Sequence, residues 1–265
     1  MSLTLTILGC GSSGGVPRVG NNWGQCDPDE PKNRRKRCSV LLDRREGDAV
    51  TRVLVDTTPD LVSQLNSADA ASLDGVWFTH EHADHTHGID DLRQVAINMR
   101  SRVSVWAERS TADMLMSRFS YCFVTPPGSS YPPILEMNGI EPETPVSTTG
   151  AAGEIIATPF EVNHGDIDAL GFRIANVAYT PDLIKVPDQS LQYLENLDVW
   201  IVDALRRTPH PSHFSLEDAL VWIERIKPKR AILTNMHIDM DYRSLCAELP
   251  ANVVPAYDGM IVEID

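Results

Sequence analysis

Apolar and polar residues alternate in short stretches along most of the chain. Leu3, Leu5 and Ile7 alternate with Thr4 and Thr6 and then run into glycines, the pattern of an opening strand that ends in a loop. Period-two spacing or short β-branched runs predict further strands at 39–42, 52–56, 76–79, 103–106, 154–158, 171–175, 177–180, 199–202, 230–234 and 260–264. Helical spacing is expected over 60–67, 89–100, 110–118, 188–196 and 215–226. The last of these starts at Ser215, with Asp218 three residues on as in a capping box, and stops before Pro228. Its Leu216, Ala219, Leu220, Ile223 and Ile226 form one apolar stripe, which is core packing. From Thr125 to Gly150 the chain is rich in proline and glycine and reads as one long irregular segment of the lid or binding-loop type. No repeat or composition break marks a linker, so 1–265 is expected to form a single domain.

Composition narrows the class. With 265 residues and 42% apolar content the chain can bury a large core, which excludes disorder and collagen. Against 23 basic residues stand 37 acidic ones, a formal charge of −14 that disfavours wrapping long nucleic acid. Cys10, Cys26, Cys38, Cys122 and Cys246 are widely spaced and include no C-x-x-C pair, so reduced thiols are expected. The opening MSLTLTILGCG lacks a basic leader, and no stretch approaches the roughly 18 apolar residues of a membrane helix. The expected compartment is the cytoplasm, with no membrane as partner.

Two local motifs need weighing. G-C-G-S-S-G at Gly9–Gly14 fits a dinucleotide fingerprint and follows a strand, but Gly15, Val16, Pro17 and Gly20 come next without helical periodicity. A glycine-rich loop passing close to another backbone is the better account. Lys32, Arg34, Arg35, Lys36 and Arg37 place five cations within six residues; they read as a solvated loop face or as an anion-attracting rim.

The chemistry lies in the histidines. Three of the eight, His80, His82 and His85, fall in T-H-E-H-A-D-H with Asp84, delivered by the predicted strand 76–79 into a loop. Imidazole and carboxylate suit zinc, manganese or iron. Three histidines and one aspartate cannot saturate two metals, so further ligands are expected at other strand ends: His164 in V-N-H-G, Asp182 in Y-T-P-D and His237 in T-N-M-H.

Together, T-H-E-H-A-D-H, His164, Asp182 and His237 resemble the metallo-β-lactamase superfamily, whose H-x-H-x-D-H signature is specific when the later ligands follow in order. The resemblance implies an α/β four-layer αβ/βα sandwich with the site at one edge between two mixed sheets. It also implies two divalent ions, Zn2+ or Mn2+. His80, His82 and His164 would hold one, Asp84, His85 and His237 the other, and Asp182 would bridge both. L-G-C-G-S-S-G-G-V-P and R-C-S-V-L-L-D are similar to the phosphonate-pathway cyclic phosphodiesterases and, more distantly, to ribonuclease Z. Those phosphodiesterases place a histidine before a helix where this chain has P-H-P-S-H-F-S-L-E-D-A, which assigns the scissile phosphate to His213, with His210 as the alternative. They also carry a cysteine-rich structural zinc site; here the early loop has only Cys26, and position 240 is Met, so that zinc is not expected.

The function so implied is hydrolysis of a small or cyclic phosphodiester, or nucleotide, by a hydroxide bridging the two cations, with Asp84 and His213 as catalytic residues. Asp56 and Asp203, each ending a predicted strand, are candidates for orienting the ligands, and His87 is expected to be structural. Thioester or lactone hydrolysis is the runner-up, and a non-catalytic metal or nucleotide binder is the alternative from another class. A homodimer is left open.

Overall fold

The computed structural model describes Ser2–Ile264. The first half contains β1 (Ser2–Gly9), β2 (Ser39–Glu46), β3 (Ala49–Val55), α1 (Leu61–Ser67), β4 (Gly75–Trp77), α2 (Ala83–Thr86), α3 (Leu92–Met99), β5 (Val103–Ala107), α4 (Arg109–Arg118), α5 (Ser120–Phe123) and β6 (Leu135–Gly139). The second contains β7 (Val146–Gly150), β8 (Gly153–His164), β9 (Ile167–Ile174), β10 (Val177–Thr180), β11 (Val199–Asp203), α6 (Leu216–Ile226), β12 (Arg230–Thr234), α7 (Tyr242–Glu248), β13 (Val253–Pro255) and β14 (Ile261–Ile264).

The strands form two seven-stranded mixed sheets, ordered β14-β1-β2-β3-β4-β5-β6 and β13-β12-β11-β10-β9-β8-β7. Parallel pairing runs from β3 to β6 in one and from β10 to β13 in the other. Period-two alternation sorts the side chains into layers. Val40, Leu42, Val53, Val55 and Trp77 enter the core shared with Phe160, Val162 and Phe172, while Leu41, Leu54 and Val76 turn to Leu61, Leu65, Leu92 and Val95 of the helices. Trp77 stacks on Phe172 across the sheets at 5.6 Å, and its indole donates to Thr148 Oγ1 at 3.1 Å. Helix on sheet on sheet on helix is the architecture expected.

Several boundaries differ from the sequence reading. The segment 125–150 is not one irregular loop: β6 pairs in parallel with β5, and β7 pairs with β8. Both are edge or near-edge strands whose alternation is short and flanked by prolines, which hid them. The stretch read as helix 188–196 is a 3-10 helix over Asp188–Leu194, and 89–100 divides into a 3-10 turn, Ile89–Asp91, and α3. T-H-E-H-A-D-H does not stay in a loop, because Ala83–Thr86 closes one helical turn. His164 is the last residue of β8 and not a residue beyond it. At Ser215 the capping box is present in both directions.

Candidate active site

Each donor sits at a strand end or in the segment that follows one, on the edge at which open α/β sheets present ligand sites. His80 follows β4, and α2 carries Asp84 and His85 with His82 as its N-terminal flank. From the second sheet come His164 at the end of β8, Asp182 after β10 and His237 after β12. Ligand atoms of His80, His82, His164 and Asp182 all lie within 4.8 Å of one another. His85 joins through Asp182: its Nε2 is 3.4 Å from Asp182 Oδ2 and 3.6 Å from Asp84 Oδ2. The Nε2 atoms of His80 and His164 each stand 3.6 Å from the same Asp182 oxygen. His237 meets the group at the wall of a cavity of about 170 Å³, shared with Asp84, His210, His213 and Asn235.

One rule orients the rings. His85 Nδ1 donates to Asp56 Oδ2 at 2.7 Å, His164 Nδ1 to the Ser212 carbonyl at 2.8 Å, and His237 Nδ1 to Asp239 Oδ1 at 2.9 Å. Thr79 Oγ1 donates to Asp56 Oδ2 at 2.8 Å and therefore accepts from His80 Nδ1, 3.0 Å away. With Nδ1 committed as donor, Nε2 is the atom each of these rings turns toward the cluster, the orientation a metal ligand needs. The Nε2 atoms of His80 and His85 are buried and have no hydrogen-bond partner. Buried polar atoms left unpaired are rare, and these converge on a carboxylate, so the set fits a divalent metal ion.

Charge follows burial and neighbours. Burial pulls His80 well below the ordinary imidazole range, and it lowers His164 as well. Burial works the same way on His85, but Asp182, Asp56 and Asp84 outweigh it and hold that ring well above the range. Asp182 is buried too, yet His85, His213 and His80 keep its carboxyl well below the usual carboxylate range.

His213 faces the same cavity. Its Nδ1 lies 2.8 Å from Oδ2 of the fully buried Asp203, which also accepts from the Leu183 amide at 3.2 Å. Burial opposes charge on His213, but Asp203 pushes it up to about 9; burial also pushes Asp203 up to about 7. The two shifts pull the shared proton in opposite senses. Two donors converge on Oδ2, so the imidazolium–carboxylate form is the one the geometry favours. His210, half-buried, has its ring 5.0 Å from that of His213 and accepts from the Ser212 amide at 3.3 Å through Nδ1. His87 is exposed and packs edge-on against Phe119, outside the cluster.

Other site residues were given no role in the sequence reading, although Ser12 and Ser13 lie in its glycine-rich motif. Asn235, in a left-handed conformation with φ 59°, donates to Asp182 Oδ1 at 3.1 Å. Ser12, Ser13, Arg18 and Arg206 line the cavity as well. The basic run is mostly committed to local partners. Arg37 pairs with Asp60 at 3.0 Å and Lys36 with Asp258 at 3.8 Å, and Lys32 lies over the Tyr242 and Tyr257 rings. Arg35 is buried and donates to the Met240 carbonyl at 2.7 Å, while Cys26 packs with Val16 and Ile238. This run borders a separate groove of about 500 Å³.

Residues 51–238 match the β-lactamase superfamily domain. Two opposed mixed sheets carrying a His/Asp cluster at their edge agree with that match: the chain belongs to the metallo-β-lactamase superfamily, whose members are generally hydrolases. Within it, the chain resembles a solved diphosphatase of the PhnP family at 32% identity, with a TM-score of 0.86 over 100% of this chain and 98% of that one. Zinc-bound PqqB from Methylobacterium extorquens (14% identity, TM-score 0.73, 98% and 100% coverage) shares the fold. So does human short-form tRNase Z (17%, 0.64, 99% and 99%). An octanoyltransferase of Porphyromonas gingivalis (strain ATCC BAA-308 / W83) is 31% identical over 264 residues, 98% of this chain. The chain spans about half, 51%, of that relative's length.

Proposed function

We propose that the protein is a binuclear metal-dependent phosphodiesterase acting on a small phosphodiester or nucleotide, with two divalent ions of the Zn2+ or Mn2+ kind. His80, His82 and His164 would hold one ion, Asp84, His85 and His237 the other, with Asp182 shared between them. When bound, the ions supply Lewis acidity, neutralising phosphoryl charge and acidifying water. The observation that carries the phosphoryl reading is His213. Held by Asp203 with its range pushed up to about 9, it stands with Arg18 and Arg206 around the cavity that Asp84 and His237 also line. Cationic groups so placed favour an anion over a neutral thioester or lactone. In the reaction His213 gives a proton or hydrogen bond to the leaving oxygen, while Asp182 and Asn235 keep the donors in register. The likeness to a PhnP-family diphosphatase supports the same reading. The charge of −14 disfavours long nucleic acid as partner.

Metal-loaded protein is expected to hydrolyse bis(4-nitrophenyl) phosphate and small nucleotide diesters. Asp182→Ala should lose both bound metal and turnover, whereas His213→Ala should keep the metal, measured by elemental analysis, and lose about 10²–10⁴-fold in kcat. Faster turnover of acyl thioesters than of any phosphodiester would overturn the reading. That second activity is favoured by one observation, the likeness of the whole chain to half of an octanoyltransferase.

A further inference from the structure

The basic run has no part in the catalytic cavity. Lys32, Arg34, Arg35, Lys36 and Arg37 line the separate groove of about 500 Å³, and among the described residues the two hollows share no lining residue. Five cations stand there against two carboxylates, Asp60 and Asp258, in a chain whose formal charge is −14. Both carboxylates are already occupied. Asp60 accepts from the Arg37 amide and from Arg37 Nη1, each at 3.0 Å; Asp258 accepts from the Lys36 amide at 2.9 Å and the Cys10 amide at 3.2 Å. A surplus of positive charge is left over.

The frame that carries it is fixed. Arg35 and Val16 exchange backbone bonds at 2.9 Å, which seats the run against the glycine-rich loop. Lys32 donates to the Tyr242 hydroxyl at 3.0 Å and lies 4.3 Å over the Tyr257 ring, so its ammonium is held in place. Arg35 supplies the decisive observation. It is 2% exposed, and one nitrogen of its guanidinium is spent: Nη2 donates to the Met240 carbonyl at 2.7 Å and to Asn33 Oδ1 at 3.2 Å. Nε and Nη1 of this groove-lining residue are buried and have no acceptor, and Arg37 Nε is buried and unpaired as well. Burying a charged group is costly and unpaired donors on it are rare; a ligand that brings several oxygens satisfies them.

We infer that the groove is a binding site for an organic phosphate, separate from the catalytic cavity. The charge surplus and the free guanidinium donors call for a dianionic head with several acceptor oxygens, which a phosphate monoester has and a single carboxylate lacks. Pro17, Pro31 and Tyr257 give walls for an organic body. The volume is that of a small-molecule site. No histidine lines the groove among the described residues, so the ligand is held there and not hydrolysed.

The test is calorimetric titration of the metal-loaded protein with AMP, a phosphate monoester that has no diester bond to cleave. Wild type should bind AMP in the groove. An Arg34→Glu, Lys36→Gln double variant should bind it there about 10- to 100-fold more weakly, with a similar loss in Arg35→Met. Asp182→Ala, altered only in the catalytic cavity, should keep the groove affinity, and that affinity should fall as salt rises. Turnover of bis(4-nitrophenyl) phosphate by the double variant should stay within about threefold of wild type. AMP binding that vanishes in Asp182→Ala and survives in the double variant puts the anion in the catalytic cavity and overturns the groove site. A fall in turnover that parallels the fall in AMP affinity also overturns it, because the groove would then belong to the substrate's own path. Failure of wild type to bind AMP, or a preference for a poly-glutamate peptide over AMP, overturns the ligand class. Melting curves identify a variant that fails to fold; if Arg35→Met does so, the double variant decides, since Arg34 is exposed and Lys36 is only half-buried.

Discussion

Asp56 shows how much one residue can organise. It sits just past β3 with φ 67° and accepts from the Thr79 amide, the Thr79 hydroxyl and His85 Nδ1 at 2.8, 2.8 and 2.7 Å. Through Thr79 it also sets the tautomer of His80, so one buried carboxylate orients two of the proposed metal donors. Burial pushes this carboxyl upward, and the donors from His85 and Thr79 pull it back. Asp56→Asn replaces one of those acceptor oxygens with a donor. Metal affinity should fall about 10- to 100-fold, read by competition with a chromophoric chelator, while the fold persists. At this scale the sequence was informative about the donors: T-H-E-H-A-D-H is dense enough to stand out, and Asp56 and Asp203 were visible as strand-end acids. Arg18 and Asn235 were not, because a lone arginine or asparagine has no spacing to betray it, and Ser12 was visible only as part of the glycine-rich motif, with no role of its own. Their meaning comes only from what the fold places opposite them.

Among the elements, α7 illustrates a joint made by a cap. Asp241, 9% exposed, accepts from the Ser244 amide at 2.9 Å as the N-cap of this helix, and also from the Asp27 amide at 3.1 Å and Asn33 Nδ2 at 2.7 Å. It thus ties the helix to the loop that carries the basic run. Burial opposes its charge, but these donors prevail and hold it down at about 2. A carboxyl held below its unfolded value, about 3.9, stabilises the fold above that pH, and the contribution drains away as pH falls toward 2. Asp241→Asn should therefore melt lower than wild type at pH 7, with the gap closing between about pH 4 and 2 in a series of thermal scans. The sequence did not reveal α7: of Tyr242–Glu248 only Leu245 is buried, so no apolar stripe marks it. Helix 215–226 was legible because its stripe is long and its cap is written in Ser215 and Asp218. The strands β6 and β7 were missed for the opposite reason, a brief alternation among prolines.

Over the whole molecule, the donors come from both sheets. His80, His82, Asp84 and His85 hang from the first, His164, Asp182 and His237 from the second, and Asp182 meets three rings of the two sets within 3.6 Å. An ion bound there interacts only with the assembled sandwich, so it must stabilise folding: metal at 100 times its dissociation constant adds about 2.7 kcal/mol. Removing it with a chelator should lower the melting temperature, and restoring it should reverse the shift. The formal charge of −14 points the same way, since part of it belongs to carboxylates that a cation would neutralise.

This arrangement makes the edge of the sandwich a rivet site. Between the sheets apolar packing dominates, with a few directional bonds across it such as Trp77 Nε1 to Thr148 Oγ1 at 3.1 Å; coordination would add further directional bonds at the edge where the donors of both sheets meet. Metal occupancy should then govern how readily the sheets part, and amide exchange would show it: protection at β4, β10 and β12 should drop together on chelation, while the outward face of α3 keeps its own rate. In that sense the proposed metal centre would also lock the fold.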